Sequence, residues 1–349
     1  MSAVRDDIGV RAGRHDIAGR DPAGLPTDQA PGRVCPLHYR YRPEVFAVEA
    51  PDTLRGLDVL YVVGGLYGNT CALDRVLELF GREPGRKRLV FNGDFHWFDA
   101  DPRAFERVQR LVLEHVALRG NVETELAADP AEGDADAGCG CAYPDWVGEA
   151  VVRRSNRILA RLRGATTPAQ RGVLSALPMW LRADVGDLRL GIVHGDAESL
   201  AGWGFAQEHL REAAHRDQVR RWFRSARVDA FACTHTCLPV FQGLRAEAGA
   251  GPRWVLNNGA AGMPNFAGDG AGLLTRVAVS PCDPGLRRFG VRAGAVFVDA
   301  IAIDYDAAAW QQRFLGQWAA GSDAHASYFE RILKGPAYQV ADAVREEGG

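Results

Sequence analysis

A chain of 349 residues, 47% apolar and 24% charged, is long enough to bury a substantial core, as one large domain or two small ones. Its net charge of −3 supplies no overall field that would draw the protein to nucleic acid or an anionic membrane. No apolar run approaches the roughly 20 residues of a spanning helix, and the N-terminus lacks the apolar stretch of a secretory signal, so the expected compartment is the cytoplasm.

Residues 1–33 are rich in Gly, Asp, Arg and Pro without apolar periodicity, which predicts a disordered or loosely attached arm. The aromatic and basic segment 35–42 reads as a surface packing strip, or as a flap folded back near an anionic pocket. The run 57–63 predicts a buried strand closed by Gly64-Gly65. An amphipathic helix over 70–83 follows, with Leu73, Val76, Leu77 and Phe80 on one face. A strand (88–93), a helix (102–114) and a strand (116–119) come next, and this alternation argues for a parallel-rich sheet.

Residues 124–145 read as a Gly/Ala/Asp-rich insertion. The seven cysteines are odd in number and follow no framework spacing, so they read as reduced thiols. Cys139 and Cys141 are closer than the usual structural zinc pair; plain loop cysteines, a loop clip or an adventitious metal contact are the readings. Helices are expected over 146–163 and 167–176, then a hairpin over 179–193 turning at 184–187. A helix (206–225) leads to a strand (228–233), and strand-like runs recur at 239–242, 254–257, 273–279 and 291–305. Residues 307–347 look helical.

Four of these strands end in a residue able to hold a metal: Asp94 after 89–93, Asn121 after 116–120, His194 after 190–193 and His235 after 231–234. In α/β sheets, ligand sites gather beyond the carboxyl ends of the strands. One carboxylate, one amide oxygen and two imidazoles form a mixed set that suits Mn, Fe or Zn better than Ca or Mg.

The order Gly93-Asp94, Gly120-Asn121, His194-Gly195, His235-Thr236 resembles the calcineurin-like metallophosphoesterases over residues 57–262, ending in Asn257-Asn258-Gly259. The resemblance implies an α/β fold, a four-layer αββα sandwich of two mixed sheets flanked by helices. With no repeat and no clear linker in the chain, one domain at 34–306 is expected, with the arm 1–33 and a helical extension 307–349 added. The resemblance also implies a phosphoesterase whose metal set is Asp94, Asn121, His194 and His235.

The family's first motif, Asp-x-His-Gly-Asn, reads Gly65-Leu66-Tyr67-Gly68-Asn69 here, and its closing His is Cys237. All three losses fall on one of the family's two metals, so one divalent ion is expected rather than two. The acid His of Gly-Asn-His is Val122, and the phosphate-contacting Arg of the second motif is absent. His96, Asp196, Glu198, Tyr67 and Cys237 are candidate substitutes, as ligand, base or hydrogen-bond donor; for each, packing or solvation is the plain alternative. Catalytic roles are therefore assigned to Asp94, Asn121, His194, His96 and Asp196, and a metal contact to Cys237. The turn Gly65, Tyr67, Gly68, Asn69 opens a helix and is a candidate phosphate site.

The leading expectation is hydrolysis of a phosphomonoester or phosphodiester by a metal-activated water. The alternatives are a non-catalytic phosphate- or nucleotide-binding member and a scaffold. The expected partner is a small phosphorylated substrate or nucleotide.

Overall fold

The computed structural model describes residues 31–48, 50–128, 137–246 and 251–347. A short strand, β1 (Leu54–Leu57), precedes an alternating run: β2 (Val59–Val63), α1 (Thr70–Arg82), β3 (Lys87–Asn92), α2 (Pro102–Leu113) and β4 (Val116–Leu118). Then come α3 (Asn121–Ala127), α4 (Glu149–Ala165), α5 (Pro168–Ser175), the hairpin β5 (Trp180–Val185) and β6 (Leu188–Val193), α6 (Ala213–Ala226) and β7 (Ala230–Cys233). The rest is β8 (Val240–Leu244), β9 (Arg253–Asn257), β10 (Gly272–Ala278), β11 (Arg287–Ala293), β12 (Val296–Ile303), α7 (Ala307–Gln317), α8 (Asp323–Lys334) and β13 (Val344–Glu346).

Two mixed sheets result, in the orders β1-β5-β6-β7-β9-β8-β13 and β11-β12-β10-β2-β3-β4. β2, β3 and β4 run parallel, as do β6, β7 and β9. Side-chain alternation on the strands explains the layers. In β2, Leu60 and Val62 face the other sheet, where they join Val90, Leu118, Leu190, Ile192 and Leu256. Val59, Tyr61 and Val63 face outward to Leu73, Phe105, Ile158, Phe314 and Ile332 of the covering helices. On the opposite surface, Phe231 and Cys233 pack under Val219, Trp222 and Phe223 of α6. Helices, sheet, sheet, helix is the αββα sandwich that the motifs led us to expect. Among the described residues, no helix is long and apolar enough to cross a membrane.

Several boundaries differ from expectation. The run 291–305 is not one strand: Gly294, at φ +61°, turns β11 back into β12. Three arginines and a glycine interrupt the apolar pattern of β11, which hid it. The stretch expected to be inserted from 124 begins inside a helix, since α3 runs to Ala127. The C-terminal extension does not end as helix, because β13 pairs parallel with β8. Segment 35–42 is a surface strip with one deep anchor: Leu37, His38, Arg40 and Arg42 are exposed, whereas Tyr39 is fully buried and its hydroxyl donates to Glu125 Oε1 at 2.7 Å. The expected arm falls outside the described residues except at 31–33, where Arg33 Nε donates to Glu149 Oε1 at 2.7 Å.

Candidate metal centre

The carboxyl ends of β3 and β4 in one sheet and of β6 and β7 in the other meet at one end of the sandwich. Asp94 lies two residues beyond β3, Asn121 opens α3, His194 follows β6 directly and His235 lies two residues beyond β7. Asn92 stitches the sheets together: its Nδ2 donates to Val193 O at 2.7 Å, and its carbonyl accepts from His194 Nδ1 at 2.8 Å. The approach is close enough to require glycine. A Cβ on Gly93 (φ +76°) would stand 2.5 Å from Gly120 N and 2.6 Å from His194 Nδ1.

The four predicted ligands converge. His194 Nε2 lies 3.2 Å from Asn121 Oδ1, 3.4 Å from Asp94 Oδ2 and 3.2 Å from His235 Nδ1. One ligand atom each from Asp94, His194 and His235 falls within a 4.8 Å span. His194 and Asn121 are fully buried, and Asp94 and His235 are 6% exposed.

Outer partners fix what each ligand presents. His194 Nδ1 donates to a carbonyl, which leaves the lone pair on Nε2 facing inward. His235 Nε2 donates to Cys141 O at 3.1 Å, which leaves its Nδ1 lone pair facing the same point. Asn121 Nδ2 donates to Cys139 O at 3.0 Å, so its oxygen is the inward atom. Asp94 Oδ1 accepts from Val122 N at 3.2 Å, and Oδ2 faces His194.

Two imidazole lone pairs nose to nose, beside a carboxylate and an amide oxygen, repel unless a cation stands among them. The spacing fits a metal: donors about 2.1 Å from one ion in a tetrahedral array stand roughly 3.4 Å apart. In the metal-free chain, Asp94 and His235 are already in the states a metal needs, whereas His194 holds a proton that a metal would displace. Burial alone would raise Asp94, but the charge and hydrogen bond of His194 outweigh it and hold the carboxyl below its usual range. Burial would likewise lower His194, yet the Asp94 carboxylate keeps it raised. Burial and the neighbouring His194 push His235 down to about 4. A neutral His235 beside an ionised Asp94 is the state a metal requires.

Tyr67 and Cys237, the residues at the family's other ligand positions in the resemblance, contact each other. The Tyr67 hydroxyl and Cys237 Sγ stand 2.8 Å apart, and the ring folds back over Gly65, where a Cβ would meet its Cζ and hydroxyl oxygen at 2.9 Å. Tyr67, Asp94 and Cys237 are three of only five non-glycine positions with positive φ among the described residues, so backbone strain concentrates here. Burial raises both the Tyr67 phenol and the Cys237 thiol, which makes them neutral near pH 7. Cys237 is not part of the ligand cluster; as a half-buried thiol with a raised pKa, bonded to Tyr67, it is a poor metal donor.

Other predicted site residues are engaged elsewhere. His96 is fully buried, bonded through Nδ1 to Asp99 Oδ2 at 2.8 Å and stacked on Phe105 at 3.7 Å, so it does not reach the vacated side. Asp196 accepts from the N–H groups of Glu198, Ser199 and Gly204, and both its oxygens are engaged in that loop. Glu198 is half-buried in the same turn. The turn at 65–69 has no free cradle for phosphate, because the N–H groups of Gly65, Tyr67, Gly68 and Asn69 already donate to the carbonyls of Gly93, Asp94, Phe95 and Leu66. Asn69 caps α1, with its Oδ1 accepting from Ala72 N at 3.0 Å.

Three features escaped the sequence reading. Glu123, fully buried, accepts from the N–H groups of Asp94, Phe95, His96 and Gly120, and so holds the Asp94 loop in place. Its signal was a Glu three residues after the N-cap Gly120, placed to accept from that residue's N–H, as it does at 2.9 Å. The Cys139–Cys141 loop closes over the site, and Cys141 O accepts from both His235 Nε2 and Trp203 Nε1, the latter at 2.9 Å. Arg331 of α8 donates to Cys237 O at 2.6 Å.

No family model matches the chain, and no curated protein matches it. Among solved structures, a hypothetical protein from Pyrococcus horikoshii OT3 is similar at 17% identity and a TM-score of 0.52, over 80% of this chain and 99% of that one. A metallophosphoesterase from Sphaerobacter thermophilus is similar at 17% identity and a TM-score of 0.45, over 79% and 99%. A conserved uncharacterized protein (predicted phosphoesterase) from Streptococcus pneumoniae TIGR4 follows at 14% identity and 0.33, over 72% and 93%. The Pyrococcus likeness establishes a shared fold.

Proposed function

We propose that the chain is a divergent metallophosphoesterase that holds one divalent ion through Asp94, Asn121, His194 and His235 and hydrolyses a phosphate ester. The observation that carries this reading is the pair of inward-facing imidazole nitrogens, 3.2 Å apart, each with its other nitrogen donating to a backbone carbonyl. Such a pair needs positive charge between its nitrogens, which a metal ion supplies when bound and a proton on His194 Nε2 supplies in the metal-free chain.

A divalent ion held there supplies a water of lowered pKa and positive charge against the phosphoryl group. The chain's own part is orientation. Asn92 and Cys141 fix the two ring tautomers, the Cys139 carbonyl turns the Asn121 oxygen inward, and Glu123 holds the Asp94 loop. Val122, apolar and 1% exposed, stands where the resemblance places the acid. No side chain at that position protonates the leaving oxygen, so turnover should favour leaving groups that need no acid, such as p-nitrophenolate.

The test is metal content per chain by elemental analysis, with p-nitrophenyl phosphate and bis-p-nitrophenyl phosphate turnover in Mn, Fe and Zn. About one ion per chain and metal-dependent turnover that Asp94→Ala abolishes are expected. No turnover above that variant, in any metal, removes the catalytic reading. A non-catalytic member of the fold is the second reading, favoured by the near-complete burial of all four ligands; it keeps the metal without the turnover.

A further inference from the structure

Two thiols in the loop that closes over the site stand at less than ordinary contact distance. Gly138, Gly140 and Ala142 all take positive φ, and the coil brings Cys139 Sγ to 2.9 Å from Cys141 Sγ. Non-bonded carbon atoms settle at about 3.5–4.0 Å, and sulfur is larger. Both cysteines are free thiols, and neither belongs to the ligand cluster. Their backbone, however, is tied to it. Cys139 O accepts from Asn121 Nδ2 at 3.0 Å and Cys141 O from His235 Nε2 at 3.1 Å, while Asn121 Nδ2 also lies 3.4 Å from Cys141 Sγ. Cys139 is fully buried and Cys141 is 8% exposed, so only a small reagent reaches the pair, and it meets Cys141 first.

We infer that Cys139 and Cys141 form a reversible disulfide on reaction with a hydroperoxide, and that this bond loosens the metal centre. The coupling rests on the proposed metal at Asp94, Asn121, His194 and His235. In the first step the Cys141 sulfur attacks one peroxide oxygen and the O–O bond breaks. The thiol proton leaves with the departing oxygen, as water or an alcohol, and Cys141 becomes a sulfenic acid. In the second step the Cys139 sulfur, already within attack distance, displaces that hydroxyl, which takes the Cys139 proton and leaves as water. Two electrons pass from the pair to the peroxide. Closure draws the sulfurs from 2.9 Å to about 2.05 Å. The backbone of both residues must turn to follow, and it carries the carbonyls that hold Asn121 and His235. Outer hydrogen bonds of this kind are worth about tenfold or more in metal affinity. Linkage runs both ways, so a bound ion opposes the disulfide by the same factor.

The test uses full-length protein freed of metal with chelator, treated with hydrogen peroxide, desalted and titrated with Mn by calorimetry. Mn is the probe because it has little preference for thiolate. The peptide spanning residues 139–141 should lose two hydrogens by mass, Mn affinity should fall about tenfold, and dithiothreitol should restore both. Cys139→Ser and Cys141→Ser, each compared with its own untreated form, should show no change in Mn affinity on peroxide treatment, which separates this pair from the remaining cysteines. The wild-type reversal needs neither variant to fold. No bond between 139 and 141, or an oxidised wild type whose Mn affinity rises or stays within about twofold of the reduced protein, overturns the inference and leaves the metal reading intact. Reduced wild type that takes up no Mn overturns the metal reading and the coupling with it, while the peptide mass still decides the disulfide.

Discussion

Around Asp94, one atom each from Asp94, Asn121, His194 and His235 points at one spot; around Tyr67, a phenol and a thiol bond to each other. Both halves sit at strand ends of the same sandwich, both are buried, and both contain strained positive-φ residues. They differ in their charges and outer partners. The Asp94 half keeps an ionised carboxylate and two imidazoles whose tautomers are set by the carbonyls of Asn92 and Cys141. The Tyr67 half has neutral groups, and its turn's N–H groups are already engaged. The inward-facing atoms of the Asp94 half take their orientation from the carbonyls of Asn92, Cys139 and Cys141 and not from the Tyr67–Cys237 contact.

The comparison breaks first on substitution. His194→Ala should remove the bound metal and lower phosphate-ester turnover by about a thousandfold or more, because several kcal/mol of charge stabilisation leaves with the ion. Cys237→Ser and Tyr67→Phe should leave metal content unchanged and move turnover by less than about fivefold, the worth of one hydrogen bond. Metal loss on altering Cys237 would show that the halves are not independent.

The pH dependence of the metal-free protein sharpens the contrast. His235 titrates at about 4 when folded, so as pH falls from about 6.5 the unfolded chain takes a proton that the folded chain refuses. Stability should drop by about 3 kcal/mol between pH 6.5 and 4 from this group. His194 is raised when folded, so its contribution is present below about 6.5 and lost as pH rises through its folded value. Urea unfolding in chelator should therefore peak near pH 6.5, and His235→Asn should flatten the acid limb. The Tyr67–Cys237 pair, neutral throughout that window, should contribute nothing; an unchanged acid limb in His235→Asn contradicts the assignment.

Putting an acid back into the vacated half should fail for a steric reason. Gly65→Asp places a Cβ 2.9 Å from the Tyr67 ring at φ +65°, which should cost about 2 kcal/mol by denaturation. Tyr67→Ala in the same chain should recover more than half of that. If Gly65→Asp costs the same with and without Tyr67, the ring is not what closes the space.

The difference between the halves also marks what the sequence could disclose. Asp94, Asn121, His194 and His235 were legible because each follows a run of buried strand residues, and strand ends are where such folds converge. Gly65, Tyr67 and Cys237 announced a loss, but not that the phenol and thiol fill the space, because that depends on a contact across 170 residues. The phosphate reading of 65–69 failed on backbone accounting: helix-opening turns attract anions only where their N–H groups are free. His96 could have been read better, since Asp99 stands three residues on, at a spacing that pairs them locally. β11 and β13 were hidden by polar faces and short length, and Arg331 by its distance along the chain.

The smallest expected effect lies in the layer behind the intact half. Trp203 Nε1 shares Cys141 O with His235 Nε2, so Trp203→Phe removes one hydrogen bond without touching a ligand. The carbonyl then serves His235 alone, the 139–141 loop loses an anchor, and the ring is held less firmly in the orientation that presents Nδ1. Stability should fall by about 1 kcal/mol and metal affinity by about tenfold, with no change in the number of ions bound. In the Tyr67 half the phenol and thiol bond to each other, and the thiol also donates to His235 O at 3.3 Å. A Trp203→Phe protein with wild-type metal affinity would mean that the ligands, and not their outer partners, set the geometry.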